Sequence, residues 1–170
     1  MTLVRRTVLE DFKIEKNGIS IQEIPFVGKI NLRGDKNDRD FLSNVGSILN
    51  IIIPLEPNTK VQNEELQAIW LSPNEWLLSY IKNDNFLDTL NKLYNQLNPE
   101  KTSVTDTSEN KTTIRIEGKN TIQLLRKFLV LDIDNILKDN SRVAQTIFVK
   151  IPILLIRNNV DKDKQSFDIH

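Results

Sequence analysis

Two pentapeptides 84 positions apart place the strongest constraint on the fold. Ile30-Asn31-Leu32-Arg33-Gly34 and Ile114-Arg115-Ile116-Glu117-Gly118 share one form, in which apolar and polar residues alternate and a glycine closes the run. Alternation at a period of two marks a strand with one buried face. The glycine suits a strand-to-helix turn that needs positive φ or close backbone approach. A helix signal follows each run. Asp35 or Asn37 is the expected cap of the first, whose stripe is Phe41, Leu42, Val45, Ile48 and Leu49; Asn120 is the expected cap of the second, with Ile122, Leu125, Phe128 and Leu129.

After each helix comes a polar loop and then a strand–turn–strand pair, expected around Pro73 in the first half and Pro152 in the second. Residues 66–71 and 76–81 read as a hairpin, because Pro73 presets φ and Asn74 tolerates the next turn position. A further helix is expected from Asp84, its cap, to Leu97, where Asn98-Pro99 stops it. Residues 18–24 form an expected edge strand ending at Pro25, 26–33 a second strand, and 132–141 a loop. A spacing of 84 is too long for a solenoid repeat. It predicts an α+β fold, internally duplicated, with split βαβ units and helices on one face of antiparallel or mixed sheets. The chain is expected as a single domain over 1–170, with similar halves at about 18–98 and 102–170 and an N-terminal tail at 1–17.

Composition limits the chemistry. The 23 acidic and 23 basic side chains cancel, so the Lys and Arg excess that drives phosphate binding is missing and a nucleic-acid partner is not expected. Without cysteine there is no thiolate nucleophile, disulfide or Cys-ligated metal. The one histidine, His170, is the last residue, a place where chains are usually poorly held. Five glycines supply no GxGxxG or GxxxxGK[ST] phosphate cradle. The longest apolar run, 151–156, falls far short of the ~20 residues that span a bilayer. A cytoplasmic protein without a membrane partner is expected.

The remaining candidates each have a plain structural role. Trp70 and Trp76 bracket the Pro73 turn and suit a packed core or subunit interface better than a ligand shelf. Glu75, Asp106, Glu109 and Glu117 lack a His, Lys or carboxylate partner at a diagnostic spacing. Asp106 and Ser108 suit bonding to local backbone, and Asp161-Lys162-Asp163-Lys164 suits a solvated turn. No catalytic, cofactor-binding or metal-ligating residue is assigned.

The ordered segments nevertheless resemble a known family. They are Leu32-Arg33-Gly34-Asp35 with Asp40-Phe41-Leu42, Ile53-Pro54-Leu55-Glu56-Pro57-Asn58, Trp70-Leu71-Ser72-Pro73-Asn74-Glu75-Trp76-Leu77-Leu78, Val104-Thr105-Asp106-Thr107-Ser108, Ile114-Arg115-Ile116-Glu117-Gly118, Leu131-Asp132-Ile133 and Ala144-Gln145-Thr146. Together they are similar to the gamma subunit of heterotetrameric sarcosine oxidase, and the WL-x-P-x-EWLL hairpin is the most specific piece. Ser72 departs from the glycine usual there. The resemblance implies a fold like the folate-binding domain of glycine-cleavage aminomethyltransferases. It implies a non-catalytic structural subunit in a complex that oxidatively demethylates sarcosine to glycine. It also implies alpha, beta and delta partner subunits, which carry the FAD, FMN, NAD, zinc and tetrahydrofolate. A stand-alone tetrahydrofolate-binding module of the aminomethyltransferase type is the alternative on the same fold.

Overall fold

The computed structural model describes residues 6–10, 12–82 and 84–170. In chain order the elements begin with strands β1 (Lys13–Lys16), β2 (Ile19–Ile24) and β3 (Lys29–Arg33), then helix α1 (Arg39–Leu49). Strands β4 (Lys60–Gln62), β5 (Leu66–Ser72) and β6 (Glu75–Tyr80) precede helix α2 (Phe86–Gln96). Strands β7 (Ser103–Asp106) and β8 (Thr113–Glu117) lead to the short helices α3 (Thr121–Leu125) and α4 (Ile133–Ile136). Strands β9 (Val143–Phe148), β10 (Ile151–Asn159) and β11 (Ser166–Ile169) complete the series. Contacts divide the chain into two compact units, one of residues 27–110 and one of 1–26 with 111–170.

The unit of residues 27–110 has a five-stranded sheet in the order β4-β5-β6-β3-β7, and its pairings are antiparallel. It contains two split βαβ units: β3–α1–β5 with β6 between the strands, and β6–α2–β7 with β3 between them. The alternation in β3 sends Ile30 and Leu32 to one face, opposite Leu78 and Trp76 of β6. All four are fully buried, with α1 contributing Phe41, Val45 and Leu49 to the same core and α2 contributing Leu90 and Leu93. The helices therefore lie on the face that the apolar stripe of each selects.

The second unit has a six-stranded antiparallel sheet in the order β1-β2-β8-β11-β10-β9. Strands β8, β10 and β11 repeat the arrangement of β3, β5 and β6, and β9 sits at the edge where β4 sits. The place of β7 is taken by β2, which precedes the other unit in the chain. Ile116 and Phe167 pair across strands and are buried with Leu125, Ile133 and Leu137.

Several local expectations are corrected. The N-cap of α1 is Asp38, whose Oδ1 accepts from the N–H groups of Asp40 at 3.0 Å and Phe41 at 3.1 Å. Asp35 instead closes the preceding turn by accepting from Asn37 N at 2.8 Å. Helix α2 starts after Asn85 and not Asp84. Asn120 precedes α3 without capping it, because its Nδ2 donates to the Asn17 carbonyl at 2.8 Å. The expected loop at 132–141 contains α4, capped by the Asp132 carboxylate accepting from Asn135 N. Within the residues expected as a tail, Lys13–Lys16 pairs with β2; residues 1–5 and 11 lie outside the described residues. The second hairpin does not turn at Pro152, which pairs with Ile147 inside β10. Its missing N–H falls outside the stretch of β10 bonded to β11, where a proline is tolerated. The chain turns at Val149 and Lys150, with Val149 at φ 59°.

Candidate functional site

The Pro73 hairpin forms as expected. Trp70 stands directly opposite Trp76, and Ser72 opposite Glu75. Trp76 has no exposed surface; its Nε1 donates to the Pro54 carbonyl at 2.7 Å and its ring lies 5.7 Å from Phe41. Trp70 is half-buried and packs on the edge of the same core. The tryptophans thus hold the hairpin to its helices and do not form an open shelf. Ser72, at the position of a usual glycine, donates its hydroxyl to Asn74 Oδ1 at 3.0 Å across the turn.

The two repeat glycines serve different local needs. A Cβ at Gly34 would come within 2.5 Å of the Phe41 ring, so that glycine admits a core aromatic. Gly118 has φ +122°, and a Cβ there would stand 2.1 Å from the Gly18 carbonyl oxygen. The β8–α3 turn and the β1–β2 turn therefore meet backbone to backbone at this point.

Beside that contact lies a cleft of about 830 Å³ over one end of the six-stranded sheet. Glu15, Glu117 and Asp163 face Lys16, Arg115 and Lys164 around it, so its charges balance. The Arg115 guanidinium makes two hydrogen bonds to Asp168, 2.7 Å from Nε and 2.9 Å from Nη2. Those bonds raise its pKa above the ordinary arginine value, against the opposing effect of burial. Glu117 accepts from the Ser166 hydroxyl at 2.9 Å. A cleft whose charges cancel offers no net field for a charged ligand. Of its members, Glu117, Asp163 and Lys164 are among the sequence candidates. The polar phase of the β8 alternation, Thr113, Arg115 and Glu117, is the signal that marks Arg115.

The other candidates remain apart. Glu75 accepts from Arg33 at 3.0 Å and from Asn31 Nδ2 at 2.7 Å. Asp106 accepts from Ser108 through its N–H at 2.9 Å and its hydroxyl at 2.6 Å, the expected local use. Asp161 accepts from Asp163 N at 2.9 Å, which closes the charged turn. His170 is better held than a chain end usually is. Its backbone exchanges hydrogen bonds with Leu154 at 3.0 and 3.1 Å, and its ring is buried with Nδ1 3.4 Å from Thr113 Oγ1. Among the described residues no group of three or more His, Asp or Glu side chains is placed to hold a metal ion, and no helix is long and apolar enough to cross a membrane.

The fold is that of the folate-binding domain of aminomethyltransferases. The glycine cleavage system aminomethyltransferase T from Bartonella henselae superimposes with a TM-score of 0.58 over 86% of this chain and 40% of its own, at 11% identity. Heterotetrameric sarcosine oxidase from Corynebacterium sp. U-96, solved in complex with pyrrole 2-carboxylate, contains a chain that matches with a TM-score of 0.78. That match covers 89% of this chain and 74% of the other, at 24% identity. The sarcosine oxidase subunit gamma of Corynebacterium sp. (strain U-96) is 34% identical over 90 residues, which span 53% of this chain and 42% of that protein's length. The protein belongs to the sarcosine oxidase gamma subunit family, which matches residues 33–165.

Proposed function

We propose that the chain is a non-catalytic structural subunit, the gamma subunit, of a cytoplasmic heterotetrameric sarcosine oxidase that oxidatively demethylates sarcosine to glycine. Family membership across residues 33–165 carries this reading. The side chains support it, since Glu75, Asp106, Glu117 and Arg115 are each engaged in local bonds. On this reading the alpha, beta and delta subunits carry FAD, FMN, NAD, zinc and tetrahydrofolate. This chain supplies packing surface and no catalytic, cofactor or metal residue.

Co-expression with the flavoprotein subunits tests the proposal. The expected outcome is co-purification in a stable complex, while the isolated chain shows neither visible flavin absorbance nor amine-oxidase activity. Flavin bound to the isolated chain overturns it. The same fold raises tetrahydrofolate binding as a second reading. Calorimetric titration of the isolated chain separates the two, and heat of binding at millimolar tetrahydrofolate favours the second.

A further inference from the structure

The turn that leads from the edge strand into its neighbour differs between the two units. In the unit of residues 27–110, β4 passes to β5 through Glu64 and Glu65, both exposed. Asn63 Oδ1 closes that turn by accepting from Glu65 N at 2.9 Å and Leu66 N at 3.0 Å. The equivalent turn from β9 to β10 is Val149-Lys150, with Val149 at φ 59°. A β-branched residue is poorly suited to that conformation, and backbone strain of this kind clusters at functional sites. The surroundings are apolar and open. Ile147 is 58% exposed, Val149 61% and Ile151 65%. Ile147 faces Pro152 on one side of the hairpin, and Phe148 faces Ile151 on the other. The segment after α3 adds Phe128, partly exposed, and Val130, wholly exposed. That segment is clipped to the hairpin. Val149 N donates to the Phe128 carbonyl at 3.1 Å, Leu129 bridges to Phe148, and the Phe128 and Phe148 rings lie 5.3 Å apart. The two edges of the sheet contrast as well. Strand β1 carries Lys13, Glu15 and Lys16, whereas β9 carries no charge, so this edge lacks the usual guard against association.

We infer that the β9–β10 turn is the tip of a protein-binding knob, and that Val149, with Ile147, Ile151, Phe128 and Val130 around it, inserts into an apolar recess with an acidic rim on another subunit. Clustered exposed apolar side chains mark such surfaces. The charges specify the rim. Neither residues 118–131 nor residues 143–160 contain an Asp or Glu. Arg126 is paired with Asp134, but Lys127 and Lys150 are exposed and make no ion pair among the described residues. Two cations beside an apolar tip match carboxylates around the recess that receives it. The valine then has a reason to stay at a strained position, since glycine would relax the turn and leave the recess unfilled. The clip to residues 128–130 holds the knob in shape, which lowers the cost of docking it. The inference rests on the reading of the chain as a subunit of an assembly, and it names the surface that the assembly uses.

The test compares the full chain alone and titrated with the flavoprotein subunits. Val149→Asp is expected to weaken assembly at least about tenfold, because it sets a carboxylate into a dry apolar recess beside acidic groups. The Tm of the isolated variant is not expected to fall, since position 149 is exposed and Asp tolerates positive φ better than Val. Val149→Gly separates contact from strain. It is expected to raise the Tm of the isolated chain and still weaken assembly, whereas a valine of no use to a partner would let the more stable variant assemble normally. Lys150→Glu is expected to slow association at low salt. Normal assembly of Val149→Asp or Val149→Gly, or an unchanged or faster association of Lys150→Glu, overturns the inference and leaves the subunit reading standing. A dimer of the isolated chain that Val149→Asp dissolves also overturns it, because the occupant is then a second copy. Failure of the wild-type chain to co-purify with the flavoprotein subunits removes the subunit reading itself and the knob's partner with it.

Discussion

The two units have the same strand order but fill equivalent positions with different chemistry. In the unit of residues 27–110, Arg33 and Glu75 form an ion pair across β3 and β6, and the next row holds Asn31 opposite Leu77. In the other unit the row of Arg33 holds Glu117 opposite Ser166, and the row of Asn31 holds Arg115 bonded to Asp168. The ion pair has moved one row along the sheet while the apolar rows of Ile30 and Leu32 are kept as Ile114 and Ile116. The fold thus requires the apolar phase of the alternation, and the polar phase is free to diverge. The helical layers have diverged as well, with two helices of 11 residues against helices of 5 and 4.

The sharpest way to break the comparison is at the aromatic anchors and the glycines. Trp76→Ala removes a fully buried ring and its bond to Pro54, and is expected to cost about 3–5 kcal/mol by chemical denaturation. Gly118→Ala is expected to cost about 3 kcal/mol, since left-handed strain adds to a backbone clash with Gly18. Gly34→Ala meets the Phe41 side chain and no backbone, and about 1–2 kcal/mol is expected. Equal losses at the two glycines would show that the turns are equivalent after all.

Next in size is the ion pair of the second unit. The Asp168 side chain is 5% exposed and that of Arg115 is 34% exposed. Replacing Arg115 with Met leaves a carboxylate in a largely dry site, and about 2–3 kcal/mol of destabilisation is expected after discounting for the exposed guanidinium. Asn31→Met, at the equivalent position, is expected to cost less than about 1 kcal/mol, because it removes only hydrogen bonds at a partly exposed site.

A smaller change is expected to be favourable. Val149 is β-branched, 61% exposed and at φ 59°. Val149→Gly should raise stability by about 1 kcal/mol, visible as a higher Tm.

The smallest effect depends on pH. The side-chain bond from Asn135, and then the backbone bond, holds the Asp132 carboxyl below its ordinary value of 3.8. A depressed pKa in the folded state stabilises the fold above the unfolded value and is lost as acid protonates the group. The stability gap between wild type and Asp132→Asn should therefore shrink progressively as the pH falls below about 4. A gap that does not change with pH down to the acid limit of the folded state would assign the effect of the substitution to some other contact.

These contrasts explain how much the sequence discloses. The period of 84, the Pro73 hairpin and the faces of α1 and α2 are local patterns, and they appear where alternation and helical spacing place them. The partner of β2 is not local, because nothing near Ile19–Ile24 identifies β8, some 90 residues away, as its neighbour. The Val149 turn is hidden for the opposite reason. Its residue type argues against the conformation it adopts, so Pro152 attracts the assignment. At the cleft, Glu117 is visible as a carboxylate, but its pairing with Ser166 and the Arg115–Asp168 pair arise only when β8 and β11 align.

The position of β2 also sets a timetable for synthesis. Strands β1 and β2 leave the ribosome before residues 27–110, whereas β8 and β11 follow them. At roughly 5–20 residues per second, the β1–β2 hairpin waits several seconds or more for its neighbours. A lone two-stranded hairpin is marginal in water, and the Ile14, Ile19 and Ile21 face of this one is open to other nascent chains meanwhile. Lys13, Glu15 and Lys16 place charge along the outer strand, at the edge where such stray pairing would begin.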